Sequence, residues 1–297
     1  MRVSVVKSFD EHGGVIRALE LVREEILSHL GDKRKFLIKP NFVSTVNELA
    51  ATPKACVDGI LEFLHEHFNV SEVLIGESPA LGSFRDAISN FGYLELRERY
   101  GDVEFVDLDD YGHEEIVLED RRGEFTVPVS KLVLSDEFVR ISPCRPKTHD
   151  TVIVTLTIKN MVMGSIRKGY KSMVHRGWLE INYDIAMLAT KLMPHLGVID
   201  GVMGMEGNGP VSGTPKRWGV ILASINPVSL DAATAYAMGF NPSDIGYLYF
   251  LNKWGYGEID PRRIETIGEK LEEIRTSFKP HRDYQRQLSW KESLKVE

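Results

Sequence analysis

The 297-residue sequence has only two cysteines, no long apolar run and no excess of basic residues. Cys56 and Cys144 form no Cys-x-x-Cys pair, which excludes an internal four-thiolate iron–sulfur cluster and a disulfide framework. The sequence contains no run of about 18 apolar residues, the length that a membrane span requires. Its start lacks the apolar core of a signal peptide. With 43 acidic against 36 basic residues, extended nucleic-acid binding is disfavoured. These absences predict a globular, cytoplasmic protein without a membrane or nucleic-acid partner.

The apolar residues that are present, 43% of the chain, are enough for a sizeable core. In the first third of the sequence, β-rich apolar runs alternate with amphipathic segments. That alternation is typical of parallel strands joined by helices. We therefore predict an α/β fold with a mostly parallel sheet flanked by helices, Rossmann-like in type. Between residues 110 and 135 the pattern blurs, and short antiparallel pieces are expected there.

The later part of the sequence predicts a second, smaller α/β unit. A strand at residues 197–200 leads into a glycine-rich loop, and further strand and helix patterns follow it. We expect residues 1–192 to form the Rossmann-like domain, residues 193–279 the smaller domain and residues 280–297 a polar tail. A boundary near residue 141 would suit the composition nearly as well.

Basic residues are concentrated between Pro146 and Arg176, although the chain as a whole is acidic. Residues 166–176 contain two arginines, two lysines and His175 and no carboxylate. Such a local reversal of charge is what a site for phosphate or carboxylate groups needs. The alternative is that Arg167 and its neighbouring lysines form a solvated face.

Polar residues follow four predicted strands at the edge where α/β proteins bind their ligands. They could converge on one cleft, or each could simply stabilise a turn. Lys159 stands apart because it follows the apolar run 152–158, and a buried lysine needs a partner, a depressed pKa or a ligand. The residues that follow these strands are Lys39 and Asn41, Glu77 and Ser78, Lys147 and His149, and Asp200.

The segment 205–213 is rich in glycine and offers backbone N–H groups without side-chain obstruction. Backbone of this kind cradles phosphate or carboxylate oxygens. Gly207, Gly209 and Gly213 match neither a Walker loop nor a dinucleotide fingerprint, because no Gly-Lys-Ser/Thr follows and no early strand precedes them. The segment could also be a flexible connection between strands.

Short motifs are spread across residues 1–275. They are Ile38–Asn41, Thr52-Pro53, Gly76–Ser78, Pro146–His149, Thr157–Asn160 with Gly164, His175, Asp200-Gly201, Glu206–Pro210 with Gly213, and Leu230–Ala232. Taken together, these motifs resemble the family called domain of unknown function 362. The resemblance implies a family whose members are mostly uncharacterised, some with an added ferredoxin-like iron–sulfur module. This chain lacks the cysteines of that module, so an iron–sulfur protein would be a separate partner.

A second resemblance is to the nickel-pincer lactate racemases. Lys159 follows His149 by ten residues and precedes His175 by sixteen, an order and spacing similar to the active-site segment of that family. The resemblance implies that Lys159 anchors a pyridinium-derived nucleotide cofactor, that His175 ligates nickel and that His149 is an acid/base. These residue types suit those roles.

Two functions remain open from the sequence. One is an enzyme, a racemase or epimerase in its most concrete version, that binds a small anionic metabolite in an interdomain cleft with His149, Lys159 and His175 as the reactive groups. The other is a non-catalytic ligand-binding or cofactor-carrier protein that partners an iron–sulfur protein. A third, weaker hypothesis is hydrolysis at a metal bound by His175 and Asp200 together with His149, and a homodimer is compatible with the sequence. The residues predicted to hold the anion or cofactor are Lys39, Asn41, Lys147, Asn160, Arg167, Gly207, Gly209 and Gly213.

Overall fold

A computed structural model describes residues 2–294, and its centre is a ten-stranded sheet with a separate two-stranded sheet beside it. Eight strands of the large sheet follow one another in the order β12-β1-β11-β10-β7-β2-β3-β4, and β8 and β9 extend it from β10. The strands are β1 (Val3–Lys7), β2 (Lys35–Ile38), β3 (Glu72–Glu77), β4 (Val103–Asp107), β5 (His113–Asp120), β6 (Gly123–Ser130), β7 (Val139–Cys144), β8 (Lys147–His149), β9 (Ile153–Thr155), β10 (Leu196–Glu206), β11 (Thr214–Ser224) and β12 (Thr266–Gly268).

Helices connect these strands and lie on both faces of the sheet. Their bounds are α1 (Glu11–Leu21), α2 (Arg23–Leu30), α3 (Lys54–His67), α4 (Phe84–Asn90), α5 (Leu94–Tyr100), α6 (Lys131–Leu134), α7 (Thr157–Ser165), α8 (Trp178–Leu192), α9 (Pro227–Ala237), α10 (Gly246–Lys253), α11 (Leu271–Ile274), α12 (Tyr284–Gln287) and α13 (Trp290–Ser293). Short 3₁₀ turns lie at Glu48–Ala50, Leu108–Asp110, Lys171–Val174 and Pro242–Asp244. Within residues 2–294, no helix combines the length and apolar character that crossing a membrane requires.

Most neighbouring strands in the large sheet are parallel, as the alternation of strands and helices predicts. Strands β10, β7, β2, β3 and β4 pair in parallel, while β11 runs antiparallel to both β10 and β1. Strand β9 is likewise antiparallel to β8. The predicted α/β class with a mostly parallel sheet flanked by helices is therefore confirmed.

The apolar runs of the central strands are continuous because both faces of the sheet are covered. In β2, Phe36 and Ile38 belong to the core on the side of α1 to α5, whereas Leu37 belongs to the core on the side of α7 to α11. In β3, Leu74 likewise faces the α7 to α11 side. Side chains of successive strand residues point to opposite faces, so one apolar run supplies two cores.

Strands on both sides of residue 193 belong to the same sheet, since β10 pairs with β7. The predicted division into domains at 192/193 remains a prediction. Of the predicted tail 280–297, residues 295–297 lie outside the described residues. Residues 280–294 contain the short helices α12 and α13, with Gln287 and Trp290 buried against the rest of the protein. Trp290 Nε1 donates a hydrogen bond to the carbonyl oxygen of Asp244 (2.7 Å).

Two segments that the sequence pattern predicts as single amphipathic helices, 15–30 and 83–100, are each divided in the structure. The first is divided between α1 and α2, and the second between α4 and α5. At the second break Gly92 has a φ of 71°, a left-handed conformation that glycine adopts without a steric penalty. The short antiparallel pieces expected between 110 and 135 are present as β5 and β6, and α6 follows them.

Candidate functional site

A small cleft opens beyond the carboxyl ends of β2 and β3, the edge of the sheet at which α/β proteins bind ligands. Its wall is completed by the β8–β9 hairpin, by α7 and by Pro210 from the β10–β11 turn. The cleft has a volume of ≈ 60 Å³. Pockets for drug-sized ligands are usually about 300–1,000 Å³. The cleft therefore suits a small ligand of a few heavy atoms.

A buried ion pair forms the floor of the site. Lys39, at the end of β2, has no exposed side-chain surface, and its Nζ lies 2.5 Å from Oε2 of Glu77, at the end of β3. The same ammonium donates to Asn160 Oδ1 (2.9 Å) and to the carbonyl oxygen of Pro40 (3.0 Å). All three of its donor hydrogens are thus used within the protein. A buried pair of this kind is stable only when its remaining polar atoms are also paired.

The carboxylate of Glu77 also has its hydrogen-bond partners within the protein. It also accepts the backbone N–H groups of Phe42 (3.3 Å) and Ser78 (3.0 Å). Gly164 of α7 packs directly on the pair, where an added Cβ would lie 2.1 Å from Lys39 Nζ and 2.2 Å from Glu77 Oε1. Lys39 and Glu77 therefore fix the geometry of the floor, and Lys39 has no hydrogen left to hold a ligand.

Lys147 orients an amide that faces the cleft. Its buried Nζ donates to Asn41 Oδ1 and to the carbonyl oxygen of Ala50 (2.9 Å). Burial lowers the pKa of Lys147 to about 7. Because the oxygen of Asn41 is held by an ammonium, its Nδ2 points the other way, and Asn41 lines the cleft. Within residues 2–294 this Nδ2 has no hydrogen-bond acceptor.

Lys159 is the cation that the protein leaves unpaired. It lies in the first turn of α7 and lines the cleft, with only 6% of its surface exposed. In the described part of the chain its Nζ makes no hydrogen bond, and no carboxylate oxygen lies within 4.0 Å of it. Burial lowers its pKa to about 8, partly offset by the negative charge of Asp150. The sequence prediction that Lys159 is buried is confirmed.

The first turn of α7 is held in place by a carboxylate on the neighbouring helix α9. Asp231 accepts the backbone N–H groups of Thr157 (3.0 Å) and Ile158 (3.0 Å), and the hydroxyl of Thr157 (2.6 Å). These N–H groups would otherwise be unsatisfied at a helix start. The aspartate of the Leu230–Ala232 motif therefore positions the backbone that carries Lys159.

His149 lines the same cleft from the end of β8. In its neutral ring, Nδ1 accepts the backbone N–H of Thr151 (3.0 Å), so the ring proton is assigned to Nε2. The carboxylate of Asp150 lies 3.0 Å from the same Nδ1 and would accept its proton once the ring is charged. Burial and, to a smaller extent, the positive charge of Lys159 lower the pKa of His149 to about 3. The ring is therefore neutral at pH 7.

The hairpin that presents His149 is clamped by the C-terminal tail. Gln287 Nε2 donates to the carbonyl oxygen of His149 (2.8 Å), and its Oε1 accepts the backbone N–H of Ile153 (2.7 Å). Ile153 has a φ of 71°, which is rare and strained for a β-branched residue. The amide of Gln287 thus stabilises a hairpin conformation that the local sequence disfavours.

The basic stretch 166–176 contributes Lys171 to the cleft and leaves two predicted residues, His175 and Arg167, outside it. Lys171 lines the cleft, donates to the carbonyl oxygen of Met163 (2.6 Å), and has its pKa lowered to about 8 by loss of solvent. His175 lies on the exposed rim, where its Nδ1 is 2.8 Å from the carbonyl oxygen of Lys171. Arg167 is exposed and packs over the ring of Tyr170.

The glycine-rich turn between β10 and β11 uses its backbone within the protein. The N–H of Gly207 binds the carbonyl oxygen of Lys279 (2.7 Å), and the N–H of Gly209 binds that of Gly207 (2.9 Å). A Cβ at Gly209 would lie 2.2 Å from the carbonyl oxygen of Thr148, and one at Gly213 would meet Glu206 O at 2.5 Å. These glycines permit close packing beside the β8 strand, and Pro210 is the residue of the turn that reaches the cleft.

The structure does not bring together the residues predicted to bind a metal. Asp200 is buried, accepts the N–H of Val202 (3.1 Å) and contacts neither His149 nor His175 within residues 2–294. Burial raises its pKa to about 7. His175 is not among the residues that line the cleft, but burial and, to a smaller extent, the positive charge of Lys159 lower the pKa of His175. A nucleotide-derived cofactor on Lys159 stays a prediction.

The predicted site residues that do meet at the cleft are Asn41, His149, Lys159 and Asn160. Glu77 and Ser78, which follow a predicted strand but had no predicted binding role, also line the cleft. So do Lys171, which belongs to the basic stretch 166–176, and Thr155. Thr155 has no signal in the sequence, and its buried Oγ1 has no hydrogen-bond partner.

Comparisons with known proteins place the chain in a family. A solved structure of a Thermotoga maritima protein, a structural genomics target, is 14% identical with a TM-score of 0.40, and covers 67% of this chain. The chain spans about half, 52%, of that protein's length. A protein from Synechocystis sp. described as a thylakoid-associated protein is 25% identical over 261 residues, 82% of this chain and 76% of the relative. The family model for Domain of unknown function (DUF362) matches residues 36–236, a range that contains every residue of the cleft, and the chain belongs to this family.

Proposed function

We propose that the protein binds a small organic anion, a carboxylate or a phosphate ester, in this cleft and moves protons on it. One observation carries the proposal. Lys159 and Lys171 line the cleft, and Lys147 holds the Asn41 side chain that lines it. Within residues 2–294 no carboxylate lies within 4.0 Å of any of these three ammonium groups, whereas the nearby Lys39 has its own glutamate. An anion in the cleft would offset this surplus of positive charge.

Hydrogen-bonding groups in the cleft support the same ligand class. Lys159 Nζ, Asn41 Nδ2 and Thr155 Oγ1 have no hydrogen-bond partner in the described residues, and of these three atoms Thr155 Oγ1 is the one that is fully buried. A buried polar group without a partner costs about 1–3 kcal/mol. A ligand with several acceptor oxygens would remove that cost. Carboxylate and phosphate groups offer such oxygens and carry the required charge.

The chemistry that suits the site is proton transfer, as in an isomerase. Lys159, with a pKa of about 8, is close to the operating pH, and His149 is neutral with a pKa of about 3. An effective acid or base has a pKa near the working pH, so Lys159 is the better placed of the two in the free protein. A bound anion favours the charged form of a neighbouring base and would raise the pKa of His149 toward neutrality.

Isothermal titration calorimetry with phosphate and with glycolate tests the proposal. We expect binding that weakens with added salt, and a loss of roughly 10- to 100-fold in affinity for Lys159→Met, because a hydrogen bond to a charged group contributes about 1.5–3 kcal/mol. Lys191→Met, which removes an exposed lysine on α8, is the matched control and should bind as the wild type does. Equal affinities for the two variants would contradict the proposal.

A further inference from the structure

We propose that Lys159 forms an imine with a carbonyl group of the bound anion, so that the ligand is a small oxo acid or a phosphorylated aldehyde. This inference rests on the proposed anion site. It adds a covalent step and a substrate class, and it assigns Lys159 the role of nucleophile.

The lysines of the site differ in the freedom of their ammonium groups. Lys39 is held by three acceptors, Lys147 by two and Lys171 by one, whereas Lys159 makes no hydrogen bond within residues 2–294. A nucleophilic amine must lose a proton and turn onto a carbonyl carbon, and an ammonium anchored by protein acceptors resists both changes. Lys159 lines the cleft together with Thr155, four residues before it, whose buried hydroxyl has no hydrogen-bond partner.

Burial favours the neutral, nucleophilic form of the Lys159 amine, which the reaction needs. A lysine in a desolvated pocket beside other cations is activated because its neutral form is favoured. At pH 7.5, a pKa of about 8 leaves roughly 200-fold more neutral amine than the ordinary value near 10.4. Lys159 is therefore both geometrically free and chemically activated.

The covalent step is balanced without a further reactant. The neutral nitrogen of Lys159 attacks the carbonyl carbon, the N–C bond forms, and the π electron pair of the carbonyl moves to oxygen. One proton passes from nitrogen to that oxygen, and a second proton lets the oxygen leave as water while the C=N bond forms. In sum, an ammonium and a carbonyl give an iminium and water. His149, on the same cleft, is placed to carry the proton between nitrogen and oxygen.

The remaining donors explain why the carbonyl compound would be an acid. Lys171 has two ammonium hydrogens beyond its bond to Met163, and Asn41 offers Nδ2. These groups can hold a carboxylate or phosphate next to the reacting carbon. The volume of ≈ 60 Å³ restricts the ligand to a few heavy atoms, as in a two- or three-carbon oxo acid.

Reductive trapping tests the inference with the full-length protein. The protein is incubated with glyoxylate and cyanoborohydride at pH 7.5, digested, and mapped by mass spectrometry. We expect a carboxymethyl adduct on Lys159 to form at least 10-fold faster than on exposed lysines such as Lys191. Inorganic phosphate should slow the labelling of Lys159. In the Lys159→Arg variant this adduct should be absent, whereas exposed lysines should be labelled as in the wild type.

Two further measurements separate this inference from the anion site itself. Formaldehyde, a neutral carbonyl compound, is used in parallel, and glyoxylate binding is measured calorimetrically without reductant. Glyoxylate that binds but leaves Lys159 unmodified would overturn the imine and leave the anion site standing. Labelling of Lys159 by formaldehyde alone, with no glyoxylate binding and no protection by phosphate, would overturn the anionic ligand class and the anion site together.

Discussion

Replacing Glu77 with glutamine should destabilise the protein strongly, and the loss should shrink as the pH rises. The substitution keeps the shape of the side chain and removes the charge that balances Lys39, whose side chain has no exposed surface. Removing one partner of a buried ion pair costs about 3–5 kcal/mol. Glutamine can still accept one or two of the N–H groups that Glu77 accepts, so the loss is expected to come mainly from the isolated charge.

The protein has one way to limit this loss, which is to fold with Lys39 neutral. Burial already lowers the pKa of Lys39, and Glu77 opposes that effect in the wild type. Without Glu77, deprotonating a lysine of ordinary pKa near 10.4 costs about 4.6 kcal/mol at pH 7 and about 2 kcal/mol at pH 9. The unfolded chain then binds one more proton than the folded protein, so the stability of the variant rises with pH up to about pH 10.

Guanidinium unfolding of the wild type and Glu77→Gln at pH 7 and at pH 9 measures both effects. Glu104→Gln is the control, because Glu104 pairs with Arg97 on the surface, where such pairs contribute at most about 1 kcal/mol. We expect a deficit of about 3–5 kcal/mol at pH 7 that falls to about 2 kcal/mol at pH 9. A deficit below about 1 kcal/mol at pH 7, or one that is the same at both pH values, would refute this account of the buried pair.

Three further predictions concern the cleft and its supports. Affinity for a small anion should fall as the pH rises through about 8, because Lys159 is charged below its pKa and neutral above it; calorimetry between pH 6.5 and 9.5 measures this, and constant affinity would contradict a charged Lys159. Gln287→Ala should cost about 1–3 kcal/mol and speed amide exchange at Ile153, whose N–H it leaves without an acceptor, as hydrogen exchange would show. Gly164→Ala should destabilise the protein by more than 1 kcal/mol, since its Cβ would lie 2.1 Å from Lys39 Nζ, and unchanged thermal unfolding would argue against that packing.

The sequence predicts the sheet well because the central strands are short apolar runs separated by clear helical patterns. The Ile38–Asn41 and Gly76–Ser78 motifs mark the ends of β2 and β3, and a general rule of α/β folds places them at the ligand-binding edge. The burial of Lys159 also follows from its neighbours in the chain. These features depend on local pattern or on topology, both of which can be inferred from residue order.

The parts that could not be predicted depend on contacts between distant residues. The role of Lys39 is decided by Glu77, which lies 38 residues further along the chain. The backbone N–H of Gly207 donates to the carbonyl oxygen of Lys279. The hairpin that carries His149 depends on a hydrogen bond from Gln287, which lies 138 residues further along the chain. Motif chemistry indicates which groups could bind an anion, and only the packed structure indicates which of them the protein itself already uses.

The position of β1 has a consequence for how the chain folds during synthesis. This first strand pairs with β11, where Ser4 lies opposite Ala223, and with β12. At about 5–20 residues per second, roughly 10–45 s separate the emergence of β1 from that of β11 on the ribosome. During that interval β1 has an unpaired edge, which is a template for aggregation. Chaperone capture of nascent chains should therefore be strongest before residue 224 is made, and it should weaken once the β10–β11 hairpin can close the sheet.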